Sequence, residues 1–182
     1  MIPEPVSASA PLEELNGVLC DAERLRRIAE IDLLAPELRG GLERLTLRTT
    51  DRLHQPIALV TMVLDSAQLV AASSGLDGWL AAAGGTPVEW SFCARAVGSR
   101  QPYVVNDART HPIQRSNPLV AIDNIGCYAG VPLYSPDGHA LGAHCVVGTE
   151  PHDFTAEEIE ELQEAGEEIA VLLQTHRRQS AA

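Results

Sequence analysis

The chain has 182 residues, 25 of them acidic and 13 basic, and its formal net charge at pH 7 is −12. All of the basic residues are arginines. This balance argues against nucleic acid or an anionic membrane as the main partner, because both would repel the protein. No apolar run approaches the roughly 18–20 residues of a membrane span, and the N-terminus lacks the features of a secretory signal. We therefore expect a cytoplasmic protein with reduced, buried thiols at Cys20, Cys93, Cys127 and Cys145.

The length and the 45% content of apolar residues indicate one domain with a substantial core. The N-terminus is rich in Pro, Ser and Ala, so residues 1–20 are predicted to be a flexible segment. Residues 21–176 are predicted to form the single domain, and residues 177–182 a tail.

Two helices open the predicted domain. Asp21 suits the N-cap of a helix that ends near Asp32. Pro36 suits the first position of a second helix, which is expected to end at about Leu53. Leucines at helical spacing form one face of this second helix, and charged residues form the other, so we expect it to pack on the core.

The pattern then changes to strands. Residues 57–64 are almost wholly apolar and rich in β-branched side chains, which is typical of a central buried strand. A turn follows, and residues 68–73 are expected to return as the second strand of a hairpin. A small helix is predicted over 77–83.

The segment 90–147 carries the residues that suit a binding site. It begins with a short helix from about Ser91, which is expected to stop at Gly98. A strand over 103–106, a proline-punctuated loop, and two strands over 127–134 and 140–148 follow. Pro136-Asp137-Gly138 is a strong turn signal between those last two strands.

The closing helix has the clearest start signal in the chain. Thr155 and Glu158 have the spacing of a capping box. Apolar or small residues then recur along a narrow seam that includes Leu162, Ile169 and Leu173. This seam could pack on the domain's own sheet, on a second copy of the helix, or on the N-terminal helices of a partner.

Five motifs in this order resemble a bacterial GAF domain. They are Ser91-Phe92-Cys93-Ala94, residues 102–108 (PYVVNDA), Asn117-Pro118, residues 128–133 (YAGVPL) and residues 137–142 (DGHALG). The resemblance covers roughly residues 25–173.

The resemblance implies an α+β fold. In it, an antiparallel six-stranded sheet carries the terminal helices on one face and a ligand-pocket loop region on the other. GAF domains are mostly regulatory sensors that are often dimeric through their terminal helices. We therefore expect a stand-alone sensor that binds a small molecule, forms a homodimer and signals through a separate protein.

The expected ligand lies between the sheet and the loop over 106–126. An apolar lining with a few polar groups is the usual composition of such a site. The ligand-binding residues predicted on this basis are Trp90, Phe92, Cys93, Val105, Asn106, Asp107, Asn117 and Tyr128.

The family's named ligands fit this sequence poorly. The motif of the cyclic-nucleotide branch includes a lysine, and this chain has none. A linked bilin is not expected, because His144 and Cys145 stand in the reverse order and on opposite faces of a strand. Haem would need one axial histidine, for which His111, His139 and His144 are the candidates, although a lone histidine is more often a surface or hydrogen-bonded residue. No histidine and cysteine spacing matches a structural zinc site.

Two alternatives remain open beside the sensor. The free methionine sulfoxide reductase branch of the family uses two cysteines, and Cys93 with Cys127 could form a redox pair of that kind. Against this, Cys127 lies too near residues 131–133 (VPL) to match that branch, and the sequence supplies little local positive charge for a thiolate. The other alternative is a dimerisation module without a ligand. No catalytic residue is predicted, and the cofactor is unknown.

Overall fold

A computed structural model describes residues 6–178 of the protein. Within that range the chain forms seven α-helices, two short 3-10 helices and six strands. The helices are α1 (Leu12–Leu19), α2 (Ala22–Ala29), α3 (Pro36–Leu53), α4 (Gly78–Ala83), α5 (Cys93–Ser99), α6 (Pro118–Ile122) and α7 (Ala156–Thr175). The strands are β1 (Ile57–Val63), β2 (Ala67–Ser74), β3 (Gly85–Pro87), β4 (Tyr103–Val105), β5 (Cys127–Tyr134) and β6 (Ala140–Gly148).

The strands form one sheet in the order β3-β2-β1-β6-β5-β4, and every neighbouring pair is antiparallel. The two central strands, β1 and β6, are sequence-distant but pair directly over Ile57–Met62 and Gly142–Val147. Side chains alternate between the two faces of each strand. The predicted α+β class with an antiparallel six-stranded sheet is confirmed.

Helices α3 and α7 cover one face of the sheet, which we call the helix face. Leu38 and Leu42 of α3 and Ile169 and Leu173 of α7 are buried there. Gly166 lets α7 approach closely, because a Cβ at this position would lie 3.3 Å from a methyl carbon of Val131. The seam of α7 therefore packs on the domain's own sheet.

The opposite face, which we call the cavity face, carries α1, α5 and the segments between β2 and β5. Leu15 and Leu19 of α1 are fully buried against this core. The prediction that residues 1–20 are flexible is therefore wrong for α1, because its leucines belong to the core and extend the domain beyond residue 21. Residues 1–5 lie outside the described range.

Gly98 explains how α1 and α5 fit together. A Cβ at this position would lie 2.8 Å from the Cβ of Leu15, so only glycine allows this helix contact. We expected Gly98 to stop α5, but the helix continues to Ser99 and ends at Arg100, which has a left-handed backbone with φ of 59°. Ser91 contributes to the start as predicted, since its hydroxyl accepts a hydrogen bond from the backbone N–H of Ala94.

Arg24 is the largest buried side chain, with 1% of its surface exposed. Its guanidinium donates to the carbonyl oxygens of Val18 and Leu19 at the end of α1, of Val63 in β1 and of Ala140 in β6. Burial lowers the pKa of Arg24 to about 10, so the side chain stays charged near neutral pH. One side chain of α2 thus connects α1 to the centre of the sheet.

The end of α7 returns to the start of the domain. Ile31 and Arg177 form an antiparallel bridge, and the N–H of Arg178 donates to the carbonyl of Glu30. Arg177 also forms an ion pair with Glu30. The first two residues of the predicted tail are therefore attached to the domain, and residues 179–182 lie outside the described range. Among residues 6–178, no helix is both long and apolar enough to cross a membrane.

Candidate ligand cavity

A cavity of about 130 Å³ lies on the cavity face, between the sheet and its cover. Leu59 of β1, Val70 of β2 and Val147 of β6 contribute apolar side chains from the sheet. Leu80 of α4 and Leu119 of α6 contribute apolar side chains from above. Mostly apolar walls with a few polar groups are the usual composition of a small-molecule site.

Helix α4 forms much of the cover and is bounded by glycines with left-handed backbones. Gly75, Gly78 and Gly84 have φ of 75°, 61° and 67°. At Gly75 a Cβ would lie 2.0 Å from the carbonyl oxygen of Pro56, so the turn into the cover requires glycine. The placement of α4 over the cavity therefore depends on the glycine at position 75.

A polar contact connects α4 to the segment after α6. The indole N–H of Trp79 donates to Oδ1 of Asp123 at 2.7 Å. The Trp79 ring also packs edge-on against Trp90, with ring centroids 6.5 Å apart. The hydrogen bond joins α4 to α6, and the ring contact joins α4 to the 3-10 helix at Val88–Trp90.

Aromatic rings form the deep end of the cavity. Phe92 and Tyr128 both line it, and their ring centroids lie 5.1 Å apart. Gly130 makes room for the tyrosine, because a Cβ there would lie 2.1 Å from the Tyr128 hydroxyl oxygen. Burial raises the pKa of Tyr128 well above its ordinary range, so this hydroxyl stays protonated.

Two cysteines meet beside this tyrosine. Cys93 Sγ lies 3.7 Å from Cys145 Sγ, and the Tyr128 hydroxyl donates to Cys93 Sγ at 3.2 Å. Both thiols are buried. The hydrogen bond with Cys93 raises the pKa of Cys145 well above its ordinary range, and burial adds to the effect. Cys145 is therefore a neutral thiol near neutral pH.

The redox pair considered from the sequence was Cys93 with Cys127, but the structure places Cys145 next to Cys93. Cys127 instead lies near Gln55, whose side-chain oxygen is 3.8 Å from the sulfur. Burial raises the pKa of Cys127, whereas Cys20 is exposed, not buried as expected. The alternation of β6 explains the change, since it directs Cys145 to the cavity face.

Two side-chain oxygens of cavity-lining residues have no hydrogen-bond partner among residues 6–178. They are Thr86 Oγ1 in β3 and Asp123 Oδ2 after α6. Such atoms are rare in folded proteins, because an unpaired buried polar group costs about 1–3 kcal/mol. By contrast, Gln68 on the same wall accepts a hydrogen bond from the Ser91 hydroxyl.

Three of the eight predicted ligand residues line the cavity, namely Phe92, Cys93 and Tyr128. The structure places the other five elsewhere. Val105 is fully buried in the core, and the carbonyl of Trp90 accepts a hydrogen bond from Asn117.

The remaining three predicted residues bond to backbone groups. Asn117 caps α6 by accepting from the N–H of Leu119. Asp107 accepts from the N–H of Arg109. Asn106 accepts from the N–H of Phe154. The loop over 106–126 reaches the cavity through Leu119, Asp123 and Ile125 instead.

The histidines considered for haem do not line the cavity. His144 lies on the helix face, with Nδ1 2.9 Å from the carbonyl of Leu59 and Nε2 2.9 Å from the hydroxyl of Thr49. His111 Nδ1 accepts from the N–H of Ile113, and His139 lies 3.6 Å from Asp21. Within residues 6–178 no cluster of three or more His, Cys, Asp or Glu side chains could hold a metal.

The chain belongs to the GAF domain family, whose model matches residues 41–174. The resemblance carried by the five sequence motifs is thus confirmed. A cyclic di-GMP phosphodiesterase of Pseudomonas aeruginosa is 36% identical over 131 residues, which are 71% of this chain and 22% of that protein. The chain therefore spans about a fifth of the length of this relative.

Solved structures agree on the fold. The GAF domain of a phosphoenolpyruvate-protein phosphotransferase from Coxiella burnetii has a TM-score of 0.65 at 17% identity, over 91% of this chain and 96% of that one. A type II free methionine-R-sulfoxide reductase from Thermoplasma acidophilum has a TM-score of 0.64 at 12% identity, over 78% of this chain and 95% of that one. Identities this low show a shared fold and leave the activity to be argued from the site.

Proposed function

We propose that this GAF domain is a non-enzymatic regulatory protein that binds a small molecule in the cavity of about 130 Å³. The cavity carries the proposal, because it combines apolar walls with buried polar atoms that have no hydrogen-bond partner among residues 6–178. Its cover, α4 and α6, consists of short helices joined by one side-chain hydrogen bond. Ligand binding would favour the conformation in which α4 and α6 cover the cavity over conformations in which they do not. This shift in population would be the signal.

The charges around the thiols support a non-enzymatic role. Hydrogen bonds, first of all the one with Cys145, lower the pKa of Cys93, but a reactive thiolate is also favoured by a nearby positive charge. Among the described residues, none of the arginines lines the cavity. The guanidinium of Arg95, a possible neighbour of the thiols, donates to the carbonyls of Ala8 and Ala10 instead.

The output route in this proposal is the helix face. Val147 contacts the cavity, and its strand neighbour Val146 packs against α7. Ligand binding would be transmitted across β6 to α3 and α7, and then to a separate signalling protein in the cytoplasm. The related segment in a larger cyclic di-GMP phosphodiesterase supports a regulatory place in signalling.

We also propose a homodimer through the terminal helices. Leu47 of α3 and Val171 of α7 are 55% and 60% exposed, and in this proposal they would supply apolar contacts of the dimer interface. Light scattering at two protein concentrations tests this. We expect twice the monomer mass for the native chain and the monomer mass for a Leu47→Glu/Val171→Glu variant. A native monomer at both concentrations would refute the dimer.

A fragment screen by two-dimensional NMR tests the binding function. We expect some compact apolar fragments to shift the amide signals of β1, β2 and α4. The same fragments should not bind Leu59→Trp, whose larger side chain fills the cavity. A broad screen without hits in the native protein, or hits that persist in the filled variant, would contradict the proposal.

Thiol-based redox sensing is the second candidate, and the 3.7 Å contact of Cys93 with Cys145 favours it. Hydrogen peroxide would oxidise the two thiols to a disulfide and be reduced to two waters. Mass spectrometry should then show the loss of two hydrogens, absent in Cys93→Ser and retained in Cys127→Ser. A disulfide between Cys93 and Cys127 would support the pair inferred from the sequence instead.

A further inference from the structure

We infer that the cavity ligand is a small amine: a compact apolar body, about the size of one six-membered ring, that carries an ammonium group. The inference deepens the proposed function and rests on it. Four properties of the site support it, namely its unpaired oxygens, the sign of its charges, its size and the hydrogen-bond donors that would match it.

The first property is the pair of unpaired oxygens. Thr86 is 8% exposed, so its hydroxyl is nine-tenths buried, and within residues 6–178 it has no hydrogen-bond partner. Asp123 uses Oδ1 to bind Trp79, while its buried Oδ2 has no partner in the same range. A ligand that donates to these two oxygens would remove two costs that the folded protein otherwise bears.

The second property is the sign of the charge. Asp77 and Asp123 both line the cavity, and among residues 6–178 no arginine does. The chain as a whole carries a formal net charge of −12. An anion entering this site would meet two carboxylates without a compensating cation, whereas a cation would be attracted to the mouth and paired inside it.

The third property is size. A cavity of about 150 Å³ lined by Leu, Ile and Phe is enough to bind benzene. The cavity here is about 130 Å³ and has Leu, Ile, Val, Phe and Tyr side chains on its walls. This volume is slightly smaller, so it limits the apolar body to about one ring, and the ammonium arm would have to extend toward the cover at Asp123. A nucleotide or a tetrapyrrole would require the cover to move away.

The fourth property is the match of donors to acceptors. A carboxylate only accepts hydrogen bonds, and an ammonium group only donates, with three N–H bonds. Hydrogen bonds between ionised partners are about twice as strong as neutral ones. An ammonium group therefore suits Asp123 Oδ2 better than a hydroxyl does.

Four ring compounds of similar size test the inference on the full chain. They are benzylamine, benzyl alcohol, toluene and benzoate, each titrated by NMR at pH 7. We expect benzylamine to bind about tenfold or more tightly than benzyl alcohol, because a charge-assisted hydrogen bond is gained. Toluene should bind more weakly still, and benzoate should not bind.

Three variants locate the effect. Asp123→Asn keeps an oxygen for Trp79 but replaces Oδ2 with a donor, so it should lose the preference for benzylamine. Thr86→Val removes the unpaired hydroxyl at constant shape, so it should weaken benzylamine binding while Tm stays equal or rises. Asp51→Asn, on the exposed surface of α3, is the matched charge control and should leave binding unchanged.

The outcomes separate the two proposals. Binding of toluene or benzoate in the cavity with equal or greater affinity than benzylamine would overturn the amine and leave a small-molecule site standing. An unchanged benzylamine affinity in Asp123→Asn would also overturn it. If none of the four compounds binds and the fragment screen is empty, the binding function itself is wrong.

Discussion

The two faces of the sheet differ in how their buried polar groups are paired. On the helix face, His144 has a partner at each ring nitrogen, and the Thr46 hydroxyl donates to a carbonyl of its own helix. On the cavity face, Thr86 and Asp123 keep oxygens without a partner among the described residues. On the helix face these polar groups are paired, whereas the cavity face keeps two oxygens unpaired among residues 6–178.

This difference separates stability from binding within one sheet. Changes that break paired groups should lower the free energy of unfolding strongly, whereas changes at the cavity should be tolerated. Three substitution experiments test that contrast, beginning with the one expected to have the largest effect.

Replacing Arg24 with Met should lower the free energy of unfolding by about 4 kcal/mol, because several buried carbonyls lose their donor at once. Urea unfolding followed by circular dichroism measures the change. Arg26→Met on the same helix is the control, since its side chain is 59% exposed. We expect the control to lie within about 0.5 kcal/mol of the native chain. Similar losses in both variants would show that the buried contacts of Arg24 contribute little.

Because of the titration of His144, the protein should become less stable as the pH falls into the mildly acidic range. Burial lowers its pKa from 6.5 to about 4 in the folded state. The unfolded chain therefore binds a proton as the pH falls below 6.5 while the folded chain does not. The stabilising contribution is complete above pH 6.5 and is lost between pH 6.5 and 4, amounting to about 3 kcal/mol.

Comparing the native chain with His144→Gln at pH 7 and pH 4.5 isolates this contribution. The variant retains the acid sensitivity of the carboxylates but lacks that of the histidine. We expect the difference in unfolding free energy between the two proteins to shrink or reverse on acidification. If the difference is the same at pH 7 and pH 4.5, the folded protein binds the proton as readily as the unfolded chain does. The pKa of His144 would then not be lowered by burial.

Substitutions at adjacent valines of β6 have the smallest expected effect on stability but compare the two faces most directly. Val147 lines the cavity, and Val146 is fully buried against the helix face. Val147→Ile adds a methyl group where space exists and should raise stability by up to about 0.8 kcal/mol. Val146→Ile adds the same group to a packed core and should cost about 1–3 kcal/mol. Equal effects in denaturant unfolding would show that the cavity is already filled by its own walls.

Much of the fold could be predicted because local signals and tertiary packing agree. Helix α3 begins at Pro36 and ends at Leu53, and β5 and β6 have the predicted bounds. The capping box of Thr155 and Glu158 starts α7 as expected. In each case an unambiguous end signal flanks a strong apolar pattern.

The elements that the sequence did not reveal lack such signals. Helix α1 follows Pro11 without a side-chain cap and contains Gly17, so local preference for a helix is weak there. Its position depends on burial of its leucines and on the bonds from Arg24. Strand β3 is only Gly85–Pro87 and exists because it pairs with β2. Helix α1 was therefore missed because tertiary contacts, rather than local sequence signals, determine where it forms.

The candidate site was only partly predictable for a related reason. Phe92 and Tyr128 lie within the family motifs, and their aromatic rings suggested a wall. Thr86 and Asp123 are unremarkable as single polar residues, and their importance comes from one buried oxygen in each that has no hydrogen-bond partner among residues 6–178.

The hydrogen bonds of Arg24 have a consequence for the order of folding. Its side chain joins carbonyls that are 5, 6, 39 and 116 residues away along the chain. Contacts of such long range form only after β1 and β6 have paired, since earlier closure would cost chain entropy without reward. We therefore expect docking of α1 to be a late event, so that loss of the arginine accelerates unfolding more than it slows folding in stopped-flow measurements.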